Sequence, residues 1–320
     1  MDILLTGSVA FDYLMKFPGN FRDHILPDHL ESISLSFLVE SMVRQKGGIA
    51  PNIAYTLALL GERPRIWATV GDDFEEYRAW LENKGVDTSG ARVISGEYTA
   101  SFFVNTDRTN SQIASFYPGA MAYASQLSLH ELENKTPELV VISPNDPIAM
   151  NLYVSECQEM GLPYIFDPSQ QIVRMSGEEL KQGINEAKAL FVNDYEYGLI
   201  QKMTGIDISC IVREKSGTFA VITLGEKGAM IYANDVRYPV SVVTPETIAD
   251  PTGVGDAFRG GFLAGYSHGL DWTTCGQMGS MAATYCLEQC GPQGHSYSVA
   301  EFVTRYRDHF DDQGKLDILL

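Results

Sequence analysis

Asp250-Pro251-Thr252-Gly253-Val254-Gly255-Asp256-Ala257-Phe258-Arg259-Gly260-Gly261-Phe262 is the stretch on which the reading of this 320-residue chain turns. Gly253 and Gly255 allow a tight turn whose backbone N–H groups point one way. The residues after them are apolar at helical spacing, so the turn opens a helix. Converging donors and the positive end of a helix dipole make such a place an anion site. Asp256 falls in the first helical turn, where a carboxylate can take the proton of a hydroxyl attacking a bound phosphoryl group. Spacing alone leaves a second reading open: an ordinary glycine loop with Asp256 as an N-terminal helix residue. Two other phosphate patterns fail. A GxxxxGK[ST] loop occurs nowhere in the chain, and a GxGxxG fingerprint breaks at its third position, Phe258, with no clear strand ahead of the turn.

Outward from this turn, short apolar runs alternate with helical patterns. Strands are expected at 3–6, 65–70, 139–143, 164–167, 189–192, 219–223 and 229–232. Helices are expected at 51–60, 73–84, 148–160, 178–187, 196–204, 256–268 and 275–290. This alternation implies an α/β fold, with a mostly parallel sheet covered on both faces and ligands bound beyond the carboxyl ends of the strands. Two segments break the rhythm. Residues from about 11 to 46 include the extended run Ser34–Val43, and about 97 to 118 read as a hairpin of Thr99–Thr106 and Gln112–Tyr117 around Asp107–Asn110. Both suit exposed antiparallel strands. A small sheet projecting as a lid from one domain spanning 1–320 is therefore expected.

Composition narrows the function. The chain carries 23 Lys and Arg against 41 Asp and Glu, a net charge of −18. Such a surface repels nucleic acid and anionic lipid. A small anion such as ATP stays compatible, because Mg²⁺ and backbone donors offset the field locally. Cys157, Cys210, Cys275, Cys286 and Cys290 include no CxxC pair, so a reducing cytoplasm is expected rather than disulfides or a zinc cluster. Cys286 and Cys290, one helical turn apart, read as buried helical thiols. The six histidines, His24, His29, His130, His268, His295 and His309, are scattered and suggest no metal site. The N-terminus lacks a signal-peptide pattern. No apolar run reaches the roughly 18 residues of a membrane span.

The Asp-Pro-Thr-Gly-Val-Gly-Asp run resembles the C-terminal motif of the ribokinase-like (PfkB) family of carbohydrate and nucleoside kinases. Gly47-Gly48-Ile-Ala-Pro-Asn52 resembles that family's N-terminal glycine motif, Asn193-Asp-Tyr-Glu196 its N-x-x-E motif, and Thr223-Leu-Gly225-Glu-Lys-Gly228 its nucleotide-binding turn. The four stand in the family's order and span most of the chain. Gly7-Ser8 with Asp12, Ser34-Leu-Ser36-Phe-Leu-Val, Ala114-Ser-Phe116-Tyr-Pro-Gly-Ala-Met, and Asp167-Pro-Ser-Gln170-Gln171 with Arg174 are similar to the bacterial adenosine kinase branch. The resemblance implies a three-layer α/β/α sandwich with a β-sheet lid. It also implies transfer of phosphate from ATP to the 5′-hydroxyl of adenosine, with Mg²⁺. A response to K⁺ is implied as well, with no residue to assign it to.

Residue by residue, the resemblance makes Asp256 the catalytic base and Gly253, Val254 and Gly255 the anion hole, with Thr252 adding a hydroxyl. Asp12 suits the two ribose hydroxyls, a carboxylate accepting both, with Asn52 beside it and Gly47 and Gly48 letting the backbone approach the sugar. A solvated loop carboxylate and a helix-start residue are the plainer alternatives for Asp12 and Asn52. Phe102 and Phe116 are placed to stack on a purine, although strand aromatics are more often core. Ser8 and Ser36 are candidates for the base edge. Gln170, Gln171 and Arg174 would close over the substrate, Arg174 also offering a donor fork to phosphate. Asn193 and Glu196 are expected to order Mg²⁺ through water, while Asn-x-x-Glu is equally a capping box. Thr223, Gly225 and Gly228 would cradle ATP. A kinase for another nucleoside or a sugar remains the alternative within the family. A dehydrogenase or a non-catalytic nucleotide binder is disfavoured by Phe258 and Asp256. An exposed lid sheet also suggests a homodimer through the lid.

Overall fold

The computed structural model describes residues 1–25, 34–132, 136–208, 212 and 217–320; His29, Cys210 and residues 26–33 of the expected lid lie outside the described residues. In chain order the strands are β1 (Ile3–Thr6), β2 (Ala10–Lys16), β3 (Ser41–Gly47), β4 (Arg65–Val70), β5 (Ala91–Val93), β6 (Ala100–Thr106), β7 (Gln112–Tyr117), β8 (Leu139–Ile142), β9 (Tyr164–Phe166), β10 (Ala189–Asn193), β11 (Phe219–Thr223), β12 (Ala229–Ala233) and β13 (Val236–Val240). The α-helices are α1 (Ile49–Leu59), α2 (Glu75–Asn83), α3 (Pro147–Met160), α4 (Gly177–Asn185), α5 (Asp194–Thr204), α6 (Val254–Ser267), α7 (Trp272–Leu287) and α8 (Val299–His309).

Nine strands form one sheet in the order β13-β12-β11-β10-β9-β8-β1-β4-β5. From β11 to β5 every pairing is parallel; β12 and β13 add an antiparallel edge. Parallel strands buried on both faces need continuous apolar sequence, and alternation then deals the side chains to two cores. Ile3, Leu5, Val141, Phe191 and Val221 join the cluster that includes Ile53, Tyr77, Phe262 and Met281 of α1, α2, α6 and α7. Leu4, Val140, Ile142, Leu190 and Ala220 join the one built on Tyr153, Leu180 and Ile200 of α3, α4 and α5. The helices thus cover both faces, as the alternation predicts. Local chemistry sets several ends. Asp146 caps α3 with Pro147 following it, and Gly161 closes it in the left-handed conformation.

The second sheet has four strands in the order β3-β2-β6-β7. Two expectations need correction here. Ser34–Val43 is not one extended strand: residues 34–39 have no regular structure, and β3 begins at Ser41. The sheet is also not all antiparallel. β2 and β6 both leave the large sheet in the same sense and pair in parallel, with β3 and β7 antiparallel at the edges. Asp12 consequently lies inside β2, not in a loop. The helix expected at 275–290 is α7, which ends at Leu287. Cys286 is therefore buried while Cys290 lies beyond the helix and is exposed, so the two are not a pair of buried helical thiols. β5, β13 and α8 were not foreseen. Pro239 disguises β13, which tolerates it at the sheet edge. No described helix is long and apolar enough to cross a membrane.

Candidate active site

The carboxyl ends of β1, β8, β9, β10 and β11 deliver Gly7-Ser8, Ser143, Asp167, Asn193 and Thr223 to one edge of the large sheet. The amino end of α6 sits above this edge. Arg259, one turn into α6, donates from Nε and Nη2 to the two oxygens of Asp167 at 2.7 Å each, and the Ser143 hydroxyl adds a contact to the same carboxylate at 3.2 Å. The third Arg259 nitrogen reaches the Gly255 carbonyl at 3.0 Å. A buried ion pair thus fastens the helix start to the end of β9.

The turn ahead of α6 is built for close approach. Gly253 holds φ at 78°, and a Cβ there would lie 2.3 Å from Cβ of Pro292. Only glycine accepts both the left-handed backbone and the contact. Asp250 secures the turn. Its carboxylate accepts the Thr252 N–H and the Gly291 N–H, each at 2.9 Å. These bonds and the Pro292 contact join the turn to the 290–294 loop. Among the described residues, the N–H groups of Gly253, Gly255 and Asp256 have no protein acceptor, as expected for orphan donors at a helix start. The Val254 N–H leans to the Pro251 carbonyl at 3.4 Å, which makes it the least available of the expected set.

Asp256 is half-buried, and its Oδ2 accepts from the Asn52 amide at 2.8 Å. Burial pushes its carboxyl up to about 6; the Arg259 charge and the Asn52 bond pull the other way, and the Asp167 charge adds to the rise. Asn52 is buried on α1. The turn before α1 is as tight as the one before α6: Gly48 has φ 94°, and a Cβ on it would lie 2.5 Å from the Ser8 carbonyl. A Cβ on Gly47 would lie 2.7 Å from Asp12 Oδ2, so that carboxylate packs directly on the glycine pair. Burial and the Asp250 charge also push the Asp12 carboxyl up to about 6.

Register places a second group together. Gln45, Asp12, Phe102 and Phe116 are directly opposed across β3, β2, β6 and β7. Opposed residues share a sheet face, so a carboxylate and two aromatic rings form one row. Phe116 is 50% exposed and Phe102 half-buried, so neither is sealed in a core. A cleft of about 250 Å³ runs between Gln45 and residues 290–294. A larger cavity, about 660 Å³, lies at the amino ends of β9 and β10 around Lys188 and holds none of these residues.

Other expected residues are placed as follows. Ser8 Oγ accepts from the Ile49 N–H at 3.4 Å, and Ser36 is exposed in the irregular segment before β3. Gln170 and Arg174 are exposed after β9, and Gln171 between them is buried, its oxygen accepting from Arg174 at 3.4 Å. Asn193 and Glu196 form a reciprocal capping box on α5, at 2.7 and 2.8 Å. The other Glu196 oxygen accepts from Ser169 at 3.2 Å, and burial raises its pKa. Thr223 stands beside Asn193 in register, with Gly225 and Gly228 in the turn from β11 to β12, and Thr252 is exposed. The described residues contain no cluster of three His, Cys, Asp or Glu able to hold a metal ion alone. Mg²⁺ would fit here only as an ion held chiefly by phosphate oxygens and water; Glu196, which already accepts one bond at each oxygen, keeps a second lone pair on each for such a water. Sequence reasoning missed Arg259 and Gln293. Arg259 had a signal, a charge within an otherwise apolar helix run; Gln293 had none.

Residues 13–298 match the pfkB family of carbohydrate kinases. A nucleoside kinase of Methanothermobacter thermautotrophicus is 32% identical over 308 residues, covering 95% of each chain. Among solved structures, the Burkholderia thailandensis nucleoside kinase in complex with inosine superposes with a TM-score of 0.84 at 36% identity, covering 96% of this chain and 98% of the other. The Methanocaldococcus jannaschii nucleoside kinase, an archaeal member of the ribokinase family, gives 0.85 at 27% identity over 97% and 99% of the two chains.

Proposed function

The chain belongs to the pfkB family of carbohydrate kinases, phosphotransferases with a hydroxyl acceptor, and from that premise we propose that it moves the γ-phosphoryl group of ATP to the 5′-hydroxyl of a purine nucleoside. The observation that carries this reading is the row Asp12–Phe102–Phe116. A carboxylate suits a ribose diol and exposed rings suit a flat base, whereas a free sugar uses only the first. Adenosine is the acceptor the sequence resemblance suggests. Inosine is the second candidate, because a relative of 36% identity has been solved with it.

In this reading Asp256 takes the proton of the 5′-hydroxyl, Asn52 holds that carboxylate, and the free amides of Gly253, Gly255 and Asp256 face the moving phosphoryl group. Mg²⁺ on the phosphates offsets the charge that develops during transfer. The small sheet acts as a lid that carries the base platform and excludes water. Asn193, Thr223, Gly225 and Gly228 line the ATP side.

ADP release measured over adenosine, inosine, guanosine, cytidine, ribose and fructose tests the reading. Turnover is expected with purine nucleosides and not with the free sugars; ADP formed with sugars alone overturns it. Phe116→Ala is expected to raise the nucleoside KM about tenfold to a hundredfold with kcat nearly kept, since stacking contributes about 1–3 kcal/mol. The opposite face of the small sheet exposes Met42, Phe103 and Ile113, and we propose that it pairs with a second copy. Light scattering is expected to give a dimer for the wild type and a monomer for Ile113→Asp; a monomeric wild type at micromolar concentration refutes this.

A further inference from the structure

We propose that Gln293 is a positioning residue: it fixes which end of the Asn52 amide faces the Asp256 carboxylate. Its effect on turnover rests on the phosphoryl-transfer reading above; its effect on Asp256 itself does not.

Hydrogen-bond polarity sets this orientation. A carboxylate can only accept, so Asn52 serves Asp256 only when its NH₂ end points there. Asn52 is 6% exposed, so little water is present to correct a flipped amide. What holds the other end is Gln293, whose Nε2 donates to Asn52 Oδ1 at 2.8 Å. The same nitrogen donates to the Tyr77 hydroxyl at 2.6 Å. Tyr77 is fully buried and spends its single proton on the Gly47 carbonyl at 3.0 Å. A backbone carbonyl also can only accept. Tyr77 therefore offers Gln293 a lone pair and nothing else, and Gln293 must present its NH₂. Each bond from the Gly47 carbonyl through Tyr77, Gln293 and Asn52 to Asp256 then has one permitted direction. The amide oxygen of Gln293 is left buried with no partner among the described residues, which marks the nitrogen end as the one that determines its orientation.

Position in the chain strengthens the case. Gln293 follows Pro292, against which Gly253 is seated, and Gly291, which grips Asp250. One short loop thus supports both the glycine turn and the carboxylate beside it. The charged and titratable groups that face Asp256 are Arg259 on its own helix, Asp167 after β9 and Cys286 on α7. None of them bonds to Gln293, so replacing Gln293 reaches Asp256 through Asn52.

Gln293→Met keeps length and volume and removes the donor. It is expected to lower kcat about tenfold to a hundredfold, as misplacement of a reacting group does, with the nucleoside KM within about threefold of wild type. In an Asn52→Ala background the same change is expected to cost nothing further, because the residue through which it acts is gone. A second readout needs no turnover. The ¹³C titration of the Asp256 carboxyl is expected to move to higher pH in Gln293→Met, and not to move further when Gln293→Met is added to Asn52→Ala. Losses that multiply in the double variant, or an Asp256 titration unmoved by Gln293→Met, overturn the proposal. A wild type that phosphorylates no nucleoside overturns the functional reading instead, and the titration still decides the role of Gln293.

Discussion

Asp256→Asn is expected to lower kcat by about 10²-fold or more while leaving the protein at least as stable at pH 7. The carboxyl ionises at about 6 in the folded protein, against 3.8 for an ordinary aspartate, chiefly because it is buried. Between those values the folded state holds the proton more tightly than the unfolded chain does. Stability therefore falls as pH rises through that window, and ionised Asp256 at neutral pH costs on the order of 3 kcal/mol. Asparagine carries no charge to desolvate, and its oxygen still accepts from Asn52. The same residue must be ionised to take a proton, so wild-type kcat is expected to climb with pH through about 6 and then level. Steady-state assays and scanning calorimetry on the two proteins check both halves. Undiminished turnover refutes the base; a markedly lower melting temperature in the variant refutes the burial argument.

Arg259→Met is expected to destabilise the protein by about 3–5 kcal/mol, the usual consequence of stranding one member of a buried ion pair. Asp167 is 1% exposed and Arg259 8% exposed, and the two meet through paired contacts of 2.7 Å. The neighbouring Asp256 and Glu196 charges hold Arg259 even more firmly in its charged form. Arg259→Met with Asp167→Leu is expected to recover most of the loss in urea unfolding, because the fully buried Asp167 charge is no longer stranded. Activity is not expected to return with stability, since the Gly255 carbonyl has lost its donor. If the double change is no more stable than Arg259→Met, the pair is not what carries the effect.

The large sheet was legible because strands buried on both faces must be apolar throughout. Arg65–Val70 and Phe219–Thr223 are found where the sequence places them. β2 was harder to see. Its sequence, Ala-Phe-Asp-Tyr-Leu-Met-Lys, mixes both kinds of side chain on both faces, because Asp12 faces the site while Phe11 and Tyr13 pack on the other side. The glycine turn and Asp256 could be read from spacing, since a helix start restricts its residue types. Spacing says nothing about residues that converge from distant segments. Gln293 lies 241 positions from Asn52, and only the folded chain makes them neighbours.

The parallel pairing of β2 with β6 has a mechanical consequence. The strand bearing Asp12 and the strand bearing Phe102 are laced together along seven consecutive residue pairs, so a displacement of one would carry the other with it. If Asp12 holds the sugar and Phe102 the base, as proposed, the two grips are the two ends of a single lever. On the proposed reading, an acceptor that touches only one end would then supply only part of the torque for closing the plate.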